Sequence, residues 1–253
     1  MNWKNILKRS FIFSLNPKRW CQLFLLDSAF CFILLFYVLN LKYFLSSFLN
    51  AVLLLFLFFI TLLFYTLLNI WINGAIVYQS YREKKNIGEG YKESGKKYLS
   101  LLASSIIVGI ILGLVGIIPY IGFVLSILFS LAFFFIYQGI ITRNLKFDET
   151  LRHSVEIFKK RWDLVFAIWF VLALICFIIS LIFSTPLILL LLKFLTKIGS
   201  EEFMSLFQEF INLNMASLII SEIILLVGIS ISKVFSIKAK TEFYLQIMKK
   251  KIK

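Results

Sequence analysis

The sequence predicts an all-α, polytopic integral membrane protein. Six transmembrane helices form three hairpins, each preceded by a cytoplasmic interfacial amphipathic helix. Three observations predict this. Hydrophobic residues make up 60% of the 253, 29 of them Phe, and charged residues only 16%, whereas a soluble domain is about 45–50% apolar and about 25% charged. The apolar residues lie in six continuous runs, each near the roughly 20 residues a helix needs to cross a hydrocarbon core. Finally, the 27 Lys and Arg outnumber the 13 Asp and Glu, a net charge of +14, and they cluster between alternate runs. A soluble core of this length could not hide so much apolar surface. Disorder requires low hydrophobicity, and three prolines with eleven glycines exclude collagen-like and Pro-rich classes. Barrel strands would alternate over about ten residues, and these runs do not.

The expected spans are residues 20–41, 47–73, 98–118, 121–141, 164–192 and 215–237, within a single transmembrane domain over residues 1–253. Lys and Arg number five before the first span, one (Lys42) in the first loop and six in the second. The tight turn at Pro119 and Gly122 has none, the fourth loop has six, and the fifth has two, Lys193 and Lys197. Seven more run from Lys233 to Lys253, so alternate sides carry 24 and 3. The positive-inside rule then predicts that both termini are cytoplasmic, in a multi-pass protein of a cell membrane, expected to be a prokaryotic plasma membrane. A cleavable signal peptide is not expected. The first apolar run exceeds a signal's hydrophobic region, contains Asp27 and lacks a small-residue cleavage site.

Each hairpin is preceded by two cations and an aromatic: Lys18-Arg19-Trp20, Lys96-Lys97-Tyr98 and Lys160-Arg161-Trp162. Such triplets suit interfacial lipid anchors, with the ring at headgroup level and the cations on anionic cytoplasmic lipid. Upstream of each lies a candidate amphipathic helix. The clearest covers residues 147–162, with Leu151, Val155, Phe158 and Trp162 on one stripe and end charges that complement the helix dipole. Trp3, Ile6, Leu7 and Phe11 form a weaker stripe ending near Pro17. Ile87, Tyr91 and Tyr98 form a third, interrupted by Gly88, Gly90 and Gly95. Three repeated units are therefore one reading. The other is that any six-span protein carries basic-aromatic edges inside. A further amphipathic stretch, residues 201–213 with Phe203, Phe207 and Phe210, is expected to lie flat on the outer surface.

The segment Arg152-His153-Ser154-Val155 leading to Lys160-Arg161-Trp162, with Asn16-Pro17 before the first anchor, resembles a broad group of prokaryotic, largely archaeal, six-span membrane proteins of unknown function. It is similar to the membrane domain fused to some glycerophosphoryl diester phosphodiesterases. The resemblance implies this architecture over most of the chain. No phosphodiesterase domain is present, so it implies no catalytic role.

Charges within the membrane cost at least about 2.5–3.5 kcal/mol, so each is a candidate site residue. Asp27 and Lys233 share a depth and could pair across spans one and six. Alternatively, Lys233 snorkels and Asp27 is protonated or hydrated. Glu222 lacks a cation at its depth and could meet Asn69, Asn73 or Gln138, or line a cavity. Asn69 and Asn73 share one face of span two. Gly109 and Gly113 form a small-residue pair suited to close packing, and Pro186 is expected to kink span five.

His153 is the sole histidine, and Cys21, Cys31 and Cys176 lack metal-ligand spacing. No nucleotide, nucleophile-elbow or metalloprotease motif appears, and the three-repeat carrier signature is absent. No metal, cofactor or nucleic-acid partner is expected. Membrane lipids, anionic on the cytoplasmic side, are the expected partners, with a membrane-protein partner or a second copy also compatible. The leading expectation is a non-enzymatic accessory, scaffold or lipid-organising protein. The alternative is a small transporter or channel using Asp27 and Glu222.

Overall fold

The computed structural model describes residues 2–44, 46–83, 86–195 and 203–250. Lys84, Lys85, Lys197, Glu201, Lys251 and Lys253 lie outside them. Every regular element among the described residues is helical. In chain order these are α1 (Trp3–Ser14), α2 (Pro17–Leu39), α3 (Leu41–Phe44), α4 (Phe48–Tyr81), α5 (Ile87–Lys96) and α6 (Tyr98–Gly116). They continue as α7 (Ile121–Ala132), α8 (Ile136–Arg143), α9 (Phe147–Lys160), α10 (Trp162–Leu195) and α11 (Phe203–Lys250). Six of the resulting helical stretches are long and apolar enough to span a membrane. The chain is a multi-pass membrane protein.

Local chemistry sets the boundaries. Asn16 caps α2, its side chain accepting from the Lys18 amide, and Pro17 stands at the first helical position, where its missing N–H costs nothing. Ser47 caps α4 in the same way. Asn144 leaves α8 in the left-handed conformation with φ 57°, which a short amide side chain tolerates. α10 runs as one helix through Pro186.

Two elements depart from expectation. The fourth span is not one helix: it breaks at residues 133–135, between α7 and α8. Ser154 of α9 sits in the break. Its hydroxyl donates to the Ala132 carbonyl at 2.7 Å and accepts from the Phe135 amide at 3.2 Å. Backbone groups freed in a membrane must find partners within the protein, and Ser154 serves both sides of this interruption. The second departure is at α11. The segment expected to lie flat is, from Phe203 onward, the start of the sixth spanning helix. No Pro or Gly separates it from the apolar run, so nothing stops the helix. Phe210 packs on Phe194 of α10, with ring centroids 5.0 Å apart.

The three hairpins pack in a ring. Their second helices, α4, α8 and α11, meet one another at the centre. Each first helix fills a gap between second helices: α2 between α4 and α11, α6 between α4 and α7–α8, and α10 between α7 and α11. The short helices follow the same cycle, with α5 docked on α4, α9 on α8 and α1 on α11. Each carries a small-residue pair four apart and fully or almost fully buried: Ser10 and Ser14, Gly90 and Ser94, Thr150 and Ser154. Small residues let helices approach closely. A Cβ on Gly74 would lie 2.4 Å from Ser94 Oγ, and one on Gly139 would lie 2.9 Å from Thr150 Cγ2.

The apolar stripes read from the sequence pack in part: Trp3 and Leu7 of α1, Tyr91 of α5 and Tyr98 at the start of α6 lie against the core. Val155 is half-buried, while Phe11 and Trp162 are exposed. Ile6, Leu151 and Phe158 do pack, beside the small residues rather than in place of them. Gly109 and Gly113 have open space within 4 Å, so this chain does not use them for packing.

Candidate functional site

Asp27 is buried in α2, and Lys233 of α11 reaches both its oxygens at 2.9 and 3.1 Å. Tyr65 of α4 donates its hydroxyl to the same carboxylate at 2.8 Å and stacks on Phe30. Three helices therefore meet at one neutralised pair within the membrane. A carboxylate that accepts several bonds beside an ammonium is tolerable in a low-dielectric interior, whereas either charge alone is not.

Lys233 also borders a cavity of about 610 Å³, within the range of small-molecule sites. Second helices supply most of its polar groups: Asn73 from α4, Gln138 from α8, and Ser232, Lys233, Ser236 and Lys240 from α11. α7 adds Ser130 and the break after it adds Phe133 and Phe134, so the broken span opens onto this space. Val108 and Leu112 of α6, with Trp169, Leu172, Ala173 and Cys176 of α10, form apolar walls. α7 and α10 touch only lightly, as do α8 and α11, and the cavity lies beside these contacts.

Two groups in the cavity lack partners. Gln138 is 2% exposed, yet its Oε1 has no hydrogen-bond donor. Lys240 lies over the Phe134 ring at 4.2 Å from its centroid. Among the described residues, no carboxylate or hydrogen-bond acceptor reaches its ammonium. A cation–π contact contributes about 0.5–2 kcal/mol, well short of replacing the hydration of an ammonium. Among the described residues, the lining contains two lysines and no carboxylate.

The other expected site residues are placed as follows. Asn73 donates to Asn69 at 2.8 Å, a bond within α4. Glu222 meets none of the amides. It is exposed on α11, in a separate small pocket with Ser28 and Cys31, because its face of the helix turns towards α2 near the end opposite the basic loops. The anchor triplets divide between protein and surroundings. Arg19 donates to Gln79 Oε1 at 2.9 Å and to the Glu83 carbonyl at 3.3 Å. Trp20 is half-buried, and its Nε1 has no acceptor. Lys97 donates to the Ile141 carbonyl at 3.0 Å and Tyr98 to the Leu67 carbonyl at 3.1 Å. Burial holds the Lys97 pKa below its ordinary value. Lys18, Lys160, Arg161 and Trp162 are exposed, and Lys96 pairs with Glu93.

At the same basic end, Lys238 is fully buried. It donates to the Ser80 carbonyl at 2.9 Å and pairs with Glu83 and Glu242. Burial pushes the neighbouring Tyr91 phenol of α5 up to about 12. Phe13 of α1 lies beneath both Arg19 of α2 and Lys238, so these contacts bind α1, α2, α4 and α11 into one layer.

Sequence reasoning missed Lys240, Tyr65, Ser154 and Trp169. Part of the signal was present. Lys233, Ser236 and Lys240 recur at three and four residues, and Tyr65, Asn69 and Asn73 at four, each set on one helical face.

Six apolar helices in three hairpins, packed beside an open cavity with one polar side, define a polytopic α-helical membrane protein. Compared with protein-family models, with curated proteins and with solved structures, the chain gives no match in any of the three.

Proposed function

We propose that this chain is a non-enzymatic solute-binding protein of transporter type, in a prokaryotic plasma membrane with its basic end in the cytoplasm. The observation that carries the reading is the cavity of about 610 Å³ among the three second helices, lined by Asn73, Gln138, Lys233 and Lys240. A scaffold would be expected to pack solid at this depth. A broken spanning helix beside a polar cavity is the arrangement transporters use to expose binding groups within a bilayer. The carboxylates serve differently from the sequence expectation. Asp27 stands behind Lys233 as its counter-ion, and Glu222 lies outside the cavity.

The test is release from proteoliposomes loaded with a mixture of small ionised and neutral solutes, followed by mass spectrometry of the external medium. At least one solute is expected to leave wild-type vesicles faster than vesicles carrying Ser236→Trp, which fills the cavity. Identical release profiles would overturn the reading.

A lipid-facing role at the basic end accompanies it. On α1, the cations Lys4, Lys8 and Arg9 are exposed beside Phe11, Ile12 and Leu15, a pairing that suits an anionic membrane surface.

A further inference from the structure

We propose that the cavity's ligand is an amphiphilic anion, with a carboxylate or phosphate group held by Lys240 and an apolar portion along the wall formed by Val108, Leu112, Trp169 and Leu172. The inference deepens the cavity reading and rests on it.

It starts from charge. Of the two ammonium groups on the lining, Lys233 is already matched by Asp27 at 2.9 Å. Among the described residues Lys240 is matched by none, and no carboxylate lines the space. An unpaired cation in a cleft with apolar, low-dielectric walls produces a field that favours an anion and disfavours a cation. The ring face of Phe134, 4.2 Å away, holds the ammonium in position without satisfying its N–H donors.

Shape and polarity point the same way. Tyr137, Gln138, Ser232 and Ser236 lie on the α8 and α11 side, while α6 and α10 contribute mainly aliphatic and aromatic surface. A small inorganic ion would leave that apolar wall unused, and a neutral hydrocarbon would leave Lys240 and the Gln138 Oε1 unsatisfied. A molecule with one anionic end and a short apolar body answers both. Gln138 Oε1 then takes a proton donor, either a hydroxyl on the ligand head or a water bound with it.

Trp169 on the cavity wall is the probe. The full chain is placed in nanodiscs of zwitterionic lipid and titrated with 11-bromoundecanoate, or with 11-bromoundecanol as its neutral counterpart. The quenching that disappears in Trp169→Phe is the cavity signal. The acid is expected to half-quench at a concentration about tenfold or more below that of the alcohol, the ratio one charge-assisted contact provides. Lys240→Met should raise the acid's half-quenching concentration to that of the alcohol, and Lys240→Arg should retain the wild-type value. Equal quenching by acid and alcohol in the wild-type protein, a comparison that needs no Lys240 variant, would overturn the anion assignment while leaving a ligand-binding cavity. Absence of any Trp169-dependent quenching would instead sink the cavity reading. Inorganic phosphate alone distinguishes the source. Failure to displace the acid supports an amphiphile, whereas displacement at similar concentrations overturns the apolar half of the proposal in favour of a free anion.

Discussion

Replacing Asp27 by Leu is expected to cost about 3 kcal/mol of folding stability, read from SDS unfolding in mixed micelles. The substitution strands the Lys233 ammonium and removes the acceptor of the Tyr65 hydroxyl. Breaking one side of a buried pair typically costs about 3–5 kcal/mol. The Lys233 side chain retains 34% exposure, which places the loss at the low end. Asp27→Leu combined with Lys233→Met should recover most of that loss, because removing both charges leaves none uncompensated. Additive losses in the double variant would show that the two side chains do not depend on each other.

Gly228→Val should be comparably severe, at about 3 kcal/mol in the same assay, the upper part of the usual overpacking range. A Cβ at this position would lie 2.3 Å from both Cβ and Cγ of Phe183. Rotating the Phe183 ring clears Cγ at best, so α10 and α11 must move apart. Gly109→Ala is the contrast. Nothing lies within 4 Å of a Cβ there, and Ala favours a helix over Gly by up to about 1 kcal/mol. It should be neutral or stabilising.

That pair of glycines shows what the sequence could reveal. Gly109 and Gly113 stand four apart in an apolar run and look like a packing motif. Gly228 stands alone and does not. Spacing within one helix is visible in a sequence, but the helix that arrives opposite is set by the tertiary arrangement. The spans themselves were legible because crossing a bilayer requires a run of apolar residues that few other structures need. The Asp27–Lys233 pair was legible as a possibility because two isolated charges at one depth have few other partners. The break in the fourth span was not. Residues 133–135 are three phenylalanines, with no Pro or Gly to announce an interruption, and the stabilising group is Ser154, from another helix.

Lys240 was counted among the cations that orient the chain. Charge counting assigns a residue to a side of the membrane but not to a face of its helix, so it could not place this ammonium at the cavity. The small polar residues of α1, α5 and α9 were hidden for a related reason. Stripe analysis weights large apolar side chains, whereas these helices also bury their smallest ones beside them.

The second helices, with α6 and α10, border a hydrated space rather than a packed core. Cys176 lines that space, and its thiol donates to the Ser232 carbonyl at 3.7 Å. Leu174, two residues away at nearly the same depth, is 49% exposed on the outer face of α10. The decisive measurement is modification by a negatively charged, membrane-impermeant thiosulfonate in membranes open on both sides. Cys176 is tested with Cys21 and Cys31 replaced by Ala, and Leu174→Cys with all three native cysteines replaced. Thiols react as thiolates, which need water to form. Cys176 is predicted to react at least about tenfold faster than the cysteine at position 174, as expected of a thiol in water rather than in lipid. Equal, slow reaction at both positions would mean that the space beside Lys240 is dry, contradicting the account.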